Sequence, residues 1–255
     1  MDLGLGDRRY LLTGASRGLG LAVARALVDD GARVLISSRS AESVDAAVTS
    51  LGGAPSAFGV PADLADADAD AAERLVAQAH ERLGRVDGLL LSVGGPAQGP
   101  VLDTSEEDWR AAVESVLLGP LRLVRALVPH LGEGASIVFV LSTSVRQPIR
   151  HLAISNALRP GLAMTAKALA DELGPRGIRV NGLMPGSVAT DRIAEIEAAS
   201  GDPAAARART EATIPLRRMG DPAEFGRVAA FLLSPAASFV TGAMVPVDGG
   251  VLRSL

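Results

Sequence analysis

Eight residues near the amino end, Thr13-Gly14-Ala15-Ser16-Arg17-Gly18-Leu19-Gly20, have the types and spacing of a phosphate cradle. Gly14 can take the backbone angles of a tight turn, Gly18 leaves room for a pyrophosphate to approach the main chain, and Gly20 lets a helix pack closely on the preceding strand. The helix after the turn would present unpaired N–H groups and a partial positive charge to the phosphates. A second chemical signal comes about twenty residues later, where an acid would favour the free 2′-hydroxyl of NAD. Here the chain reads Ser38-Arg39. The guanidinium of Arg39, with that of Arg17, suits a 2′-phosphate, so NADP is the expected cofactor. A solvated arginine at the head of a loop is the plain alternative.

For this chemistry a strand must lead into the turn and a helix must leave it. Arg9-Tyr10-Leu11-Leu12 supplies the strand, and an amphipathic run over 21–29 supplies the helix. Val34-Leu35-Ile36-Ser37-Ser38 then completes a βαβ unit. Further strands are expected at 54–60, 87–92, 137–141, 178–183 and 243–247. Helices are expected at 67–83, from Thr104 and Glu107 at capping-box spacing on to Leu131, at 151–173, and from Asp221 onward. The alternation predicts an α/β fold, a Rossmann-type doubly wound sheet of about seven parallel strands flanked by helices. Residues 1–255 are expected to form a single domain. Residues 191–220 differ in kind, with two short helices at 191–199 and 202–213 that carry few large apolar side chains. A substrate-covering flap fits this, and an Ala-rich surface excursion is the alternative.

The totals agree with one large core, since 255 residues are 48% hydrophobic. Twenty-five Lys and Arg against 29 Asp and Glu give a formal charge of -4 without a basic tract, which makes nucleic acid and anionic membranes poor partners. Cysteine is absent, so thiolate chemistry and disulfides are excluded. No apolar run has the length of a signal segment or a membrane span, and a cytoplasmic location is the default expectation. No metal ligands are assigned.

Several motifs, in order, resemble the short-chain dehydrogenase/reductase family: Thr13-Gly14-x-x-x-Gly18-x-Gly20, Asp63-Leu64, Arg176-Gly177-Ile178-Arg179-Val180-Asn181, Pro185-Gly186-x-Val188-x-Thr190 and Asp248-Gly249-Gly250. The likeness covers nearly the whole chain. The tail from Ile214-Pro215-Leu216-Arg217-Arg218-Met219-Gly220-Asp221-Pro222 to Thr241-Gly242 is most similar to the β-ketoacyl carrier protein reductase branch. The resemblance implies that Asp63 and Leu64 lie beside an adenine, Gly94 near the adenosine ribose, and Pro185, Gly186, Val188 and Thr190 around a nicotinamide.

The family's active site implied by this resemblance is a serine, a tyrosine thirteen residues on, a lysine four beyond that, and an asparagine in the preceding long helix. Ser142 matches the serine. The tyrosine position falls on Ser155, the lysine position on Arg159 and the asparagine on Val116, while the Asn-Asn-Ala-Gly loop reads Ser92-Val93-Gly94-Gly95. The chain's single tyrosine, Tyr10, stands at the first strand. Ser155 is a weaker acid than a phenol, and Arg159 can hold a ribose or stabilise an oxyanion without relaying a proton. His151, Ser155 and Arg159 are spaced four apart. If the helix has begun by His151 they share a face, and His151 becomes the replacement proton donor. The alternative leaves His151 in the preceding loop, facing solvent.

The expected function is thus an NADP-dependent oxidoreductase acting on a carbonyl or alcohol, similar to the 3-oxoacyl carrier protein reductases, with Ser142, Ser155 and Arg159 at its site. The rival reading is a catalytically weak or inactive NADP-binding sensor or assembly subunit, and a lyase or isomerase is a third. The substrate would be a small molecule or an acyl thioester. Arg207, Arg209, Arg217 and Arg218 could meet an acidic carrier, or form a solvated helix face. The resemblance also suggests a homotetramer or homodimer, with the helices at 105–131 and 151–173 at the interface.

Overall fold

Short runs of Val, Ile and Leu that are apolar at every position belong in strands buried on both faces. The computed structural model, which describes residues 2–66 and 70–254, builds seven strands, β1 (Arg9–Thr13), β2 (Arg33–Ser38), β3 (Ala57–Pro61), β4 (Gly88–Leu91), β5 (Ser136–Val140), β6 (Arg179–Pro185) and β7 (Met244–Val247), of which the inner five are largely buried on both faces and the edge strands β3 and β7 are half-buried. They form one parallel sheet in the order β3-β2-β1-β4-β5-β6-β7. The doubly wound α/β architecture expected from the sequence is therefore the one observed.

Because side chains alternate along a strand, neighbours in β1 serve opposite layers. Leu11 packs with α3 (Asp70–Leu83), α5 (Gly119–Leu127) and α6 (Ala153–Leu173), whereas Leu12 packs with α1 (Gly18–Asp29), α2 (Ala41–Ser50) and α9 (Pro222–Leu233). Tyr10 shares the second layer, fully buried, with its hydroxyl donating to the Leu233 carbonyl at 3.3 Å. Burial pushes its phenol pKa above the ordinary value.

Several boundaries differ from expectation. The helix after the glycine turn begins at Gly18 rather than 21, and β3 begins at 57 rather than 54 because 51–56 is a succession of turns. The predicted start of α3, at 67, lies outside the described residues. α2 has no counterpart among the expected helices. It is short and buries only Val44 and Ala47, but Ser40 caps it by accepting a hydrogen bond from the Ser43 amide at 3.2 Å. The helix expected over 104–131 is instead α4 (Glu106–Ala112), a π-helical turn at Val113–Leu118, and α5. Gly119 closes that turn where a Cβ would overlap the Leu64 carbonyl oxygen. Among the described residues no helix is long and apolar enough to cross a membrane.

The ends of β1 and β4 are clasped together. The buried Thr13 hydroxyl donates to the Ser92 carbonyl at 2.8 Å and accepts from the Ser92 amide at 3.1 Å. Gly14, at φ 56°, comes directly after, and a Cβ there would overlap the same carbonyl. Thr13→Val keeps the shape and removes the clasp, leaving two buried main-chain groups unpaired. We expect it to lower stability by about 1–3 kcal/mol, measured by urea unfolding, and an unchanged midpoint would refute the clasp's role.

Candidate functional site

The sheet order reverses between β1 and β4, and the loops leaving these strands diverge to open a crevice at the carboxyl edge, where open α/β sheets bind their ligands. A cleft of about 790 Å³ lies there. Gly14, Ser16, Arg17, Arg39, Asp63, Leu64 and Gly94 all line it. Leu19 and Gly20 lie in the first turn of α1 with Gly18. A Cβ on Gly18 would stand 3.7 Å from Thr190, so Thr190 faces the glycine turn. Pro185 ends β6, Gly186 abuts Asp248, and Val188 lines a separate cavity of about 560 Å³. Asp63 accepts from the Ala65 amide at 3.0 Å.

The chemistry of the cleft's donors fits a phosphorylated dinucleotide. Beside Arg17 and Arg39 it is lined by Ser37, Ser38, Ser40 and Ser43. Ser38 donates to Ser16 at 2.9 Å, which ties the end of β2 to the glycine turn. The end of β2 itself, Ser37-Ser38-Arg39-Ser40, carries no acid. The serine cluster is legible as Ser37-Ser38-Arg39-Ser40, but its meaning depends on α2, which starts at residue 41. Ser115 also lines the cleft, presented by the π-helical turn. Nothing in the sequence marks that turn.

At the far side of the edge, β5 delivers Ser142, whose hydroxyl accepts from the Ser144 amide at 3.1 Å and starts a single 3-10 turn. Ser144, missed in the sequence, is the link between the predicted residues. Its hydroxyl lies 3.0 Å from that of Ser155 and 3.3 Å from the Ser155 carbonyl. When Ser144 donates to the Ser155 oxygen, the Ser155 proton is free for a ligand. One turn along α6, Arg159 donates through Nη1 to the carbonyl of Val140, the last residue of β5, at 2.7 Å. Burial, and secondarily the nearby Arg192 guanidinium, pull its pKa down to about 10. It remains a cation at neutral pH. Val116, in the π-helical turn, is fully buried.

His151 is not on the helical face. α6 begins at Ala153, and His151 sits exposed in the preceding turn at φ 60°, its carbonyl accepting from the Gly99 amide at 2.8 Å. Asn156 holds this turn, accepting from the Ile149 amide and donating to the Ile149 carbonyl. The spacing of four residues therefore does not align His151 with Ser155 and Arg159. Three of the four arginines considered for an acidic carrier have partners of their own: Arg207 pairs with Glu197 and Glu211, Arg218 with Glu224, and Arg217 donates to the Ala212 carbonyl.

Helices α7 (Asp191–Ala198) and α8 (Pro203–Thr213) contain no buried residue. α7 touches both banks of the crevice, through an exposed Arg17–Glu195 ion pair at 3.9 Å and through Arg192, which donates to the carbonyls of Gly95 and Pro96. Among the described residues no group of three or more His, Asp or Glu could hold a metal ion.

A parallel doubly wound sheet with a glycine turn at its switch point and a polar cluster on the same edge has the form of a dinucleotide-binding fold. Comparison with known proteins narrows this class. Residues 14–252 match the family described as enoyl-(acyl carrier protein) reductase. An uncharacterized oxidoreductase of Mycobacterium tuberculosis is 37% identical over 97% of this chain and 93% of its own length. L-rhamnose 1-dehydrogenase (NAD(P)(+)) of Azotobacter vinelandii is 34% identical over 98% of each chain. Among solved structures, L-sorbose reductase of Gluconobacter frateurii, complexed with NADPH and L-sorbose, superposes over the whole of both chains with a TM-score of 0.94 at 27% identity. A short-chain oxidoreductase of Pseudomonas aeruginosa, described as containing an atypical catalytic center, also matches over both full lengths, with a TM-score of 0.90 at 28% identity. The chain belongs to the short-chain dehydrogenase/reductase family, and it is an oxidoreductase.

Holding Arg159 charged in the interior costs roughly 3 kcal/mol, judged from its lowered pKa, against about 1 kcal/mol from its bond to Val140. Arg159→Met should therefore stabilise the unliganded protein by about 2 kcal/mol at pH 7. Below about pH 10 the folded and unfolded chains both carry the charge and the cost is whole. Above it the folded chain loses its proton first, so the advantage of the variant must shrink. Urea unfolding at pH 7 and pH 10.5 measures both, and a variant less stable than the parent at pH 7 would contradict the argument.

Proposed function

We propose that the protein is an NADP(H)-dependent oxidoreductase that interconverts a carbonyl and an alcohol at a site made of Ser142, Ser155 and Arg159. The observation that carries this reading is the buried placement of the Ser155 hydroxyl and the Arg159 guanidinium one helical turn apart on α6, linked through Ser144 to Ser142 at the carboxyl end of β5. By the family resemblance, Ser155 stands in the place of the usual tyrosine and Arg159 in that of the lysine. The atypical center named for the Pseudomonas aeruginosa neighbour supports an enzyme with an altered site.

NADPH, when bound, supplies a hydride for the carbonyl carbon. Ser142 and Ser155 hold the carbonyl oxygen by hydrogen bonds, and Arg159 stabilises the negative charge that develops on it. Water supplies the proton that completes the alcohol. General acid catalysis is worth about 10²–10⁴ in rate, whereas electrostatic stabilisation and positioning supply terms of similar or larger size. Loss of the phenol therefore slows the reaction without abolishing it, which favours an enzyme over a silent sensor.

Arg17, Arg39 and the surrounding serines support NADP over NAD, as does the NADPH in the sorbose reductase structure. The resemblance of the tail to the β-ketoacyl carrier protein reductases supports a 3-oxoacyl thioester among the substrates, while the rhamnose dehydrogenase and the sorbose reductase support sugars. Residues 191–220 act as the flap, with α7 already spanning the crevice. Met164, 71% exposed on α6, supports self-association through α5 and α6.

Two measurements test the reading. Fluorescence titration should give an NADPH affinity at least tenfold above that for NADH, and Arg39→Asp should remove the difference; equal affinities in the parent would end the NADP assignment. Ser155→Ala should cut kcat about 10²-fold for any carbonyl substrate followed at 340 nm, with the NADPH affinity intact. Unaltered turnover would remove Ser155 from the chemistry.

A further inference from the structure

α7 lies across the nucleotide cleft and touches both of its banks. Its amino end meets the glycine turn, where the Thr190 methyl group stands 3.7 Å from the position of a Cβ on Gly18. Arg192 donates to the Gly95 and Pro96 carbonyls of the loop after β4. Glu195, three residues on and so a neighbour of Arg192 on the helix surface, returns to the first bank, its Oε1 3.9 Å from Nη1 of Arg17. Arg17 and Gly95 both line the cleft. The base of the flap is fastened separately, since the Ala189 amide donates to the Gly220 carbonyl at 2.9 Å and the Gly220 amide to the Ser187 carbonyl at 3.0 Å. The base holds without the contacts of α7, so the helix can part from the cleft while the flap stays rooted.

Two other flap carboxylates, Glu197 and Glu211, pair within the flap with Arg207. Glu195 instead takes a residue of the cleft, and that residue has a second claimant. Arg17 is one of the two arginines assigned above to a 2′-phosphate, a group that carries about two negative charges at neutral pH and offers three acceptor oxygens. A phosphate and a carboxylate that face one guanidinium repel each other. The phosphate has the larger charge and the more acceptors, so it displaces the carboxylate. NADH carries a hydroxyl at the same point and leaves the ion pair intact.

We propose that Glu195 competes with the cofactor's 2′-phosphate for Arg17 and is therefore a specificity-determining residue, one that weakens NADPH selectively and leaves NADH untouched. The proposal rests on the NADP reading above and deepens it. The preference for NADPH is held below what Arg17 and Arg39 would give without the flap. The coupling is reciprocal, so NADPH loosens α7 from the glycine turn by the factor that Glu195 weakens NADPH. When the cofactor leaves, Glu195 recaptures Arg17 and α7 settles back across the empty cleft.

The test is a double-mutant cycle read by fluorescence titration with NADPH and NADH at about 20 mM salt, where exposed charges are little screened. Glu195→Gln should tighten NADPH about two- to fivefold, the range of an exposed ion pair, and leave NADH within about 1.5-fold. Glu195→Lys, which puts a cation in the same place, should tighten NADPH further. Arg17→Gln should weaken NADPH, and in that background Glu195→Gln should change the ratio of the two affinities by less than about 1.5-fold. The Arg17 and Glu195 side chains are 69% and 67% exposed, so these variants test recognition rather than folding. Equal tightening of both cofactors by Glu195→Gln, or no change in either, would overturn the competition. So would an undiminished effect of Glu195→Gln without Arg17, or an NADPH affinity indifferent to Arg17→Gln. In each of these cases a parent that prefers NADPH keeps the NADP assignment. A parent that binds the two cofactors alike, with Glu195→Gln still tightening NADPH alone, would uphold the competition and overturn the NADP assignment.

Discussion

The hydroxyl of Thr13 holds the molecule's working edge together. A single buried oxygen gives a hydrogen bond to the carbonyl of Ser92 and receives one from its amide, so the ends of β1 and β4 are fixed where the chain must splay apart. Gly14 can then pass against the Ser92 carbonyl, and Gly20 can press against the Gly14 carbonyl as α1 begins. Each step leaves no room for a Cβ. The glycines depend on the clasp, and the open cleft depends on the glycines.

On the other bank the constraint is electrostatic rather than steric. Arg159 is buried, among the described residues it has no acidic partner, and it is held by the carbonyl that ends β5. This joins α6 to the strand that carries Ser142, while Ser144 joins the same strand to Ser155. Asn156 anchors the intervening turn. The site is thus rigid toward the sheet and open toward α7, whose two contacts across the crevice are one exposed ion pair and a pair of carbonyl bonds. Such contacts are weak individually, about 0–1 kcal/mol for the ion pair. A cover that must open and close needs bonds of this strength.

The sheet is legible in the sequence because parallel strands buried on both faces are continuous apolar runs, and because glycine spacing at a switch point reflects backbone geometry. Ser155 and Arg159 are legible too, since their distances along the chain from Ser142 and Asn181 fix the register. Other features depend on the fold and have no local signal. α2 is short and buries only Val44 and Ala47, so it has no broad apolar face to announce it. Helical spacing puts His151 in line with Ser155, but a left-handed residue stops that spacing before the helix begins. Ser144 matters only because α6 brings Ser155 over it, and Arg192 only because Gly95 admits it from the opposite bank. Contacts between distant segments are not written in either segment alone.

The π-helical turn at Val113–Leu118 has a consequence for phase. Such a turn amounts to one residue inserted into a regular helix, and it shifts the preceding segment by roughly 100° about the axis relative to the segment after it. α4 and α5 therefore lie on one line but look in different directions. α5 turns Leu123, Val124 and Leu127 into the core, while the shifted turn before it points Ser115 toward the cleft. Deleting Val113 or Glu114 would remove the inserted residue and bring the two halves closer to phase. α4 would then rotate relative to α5, although no residue lining the cleft had been deleted.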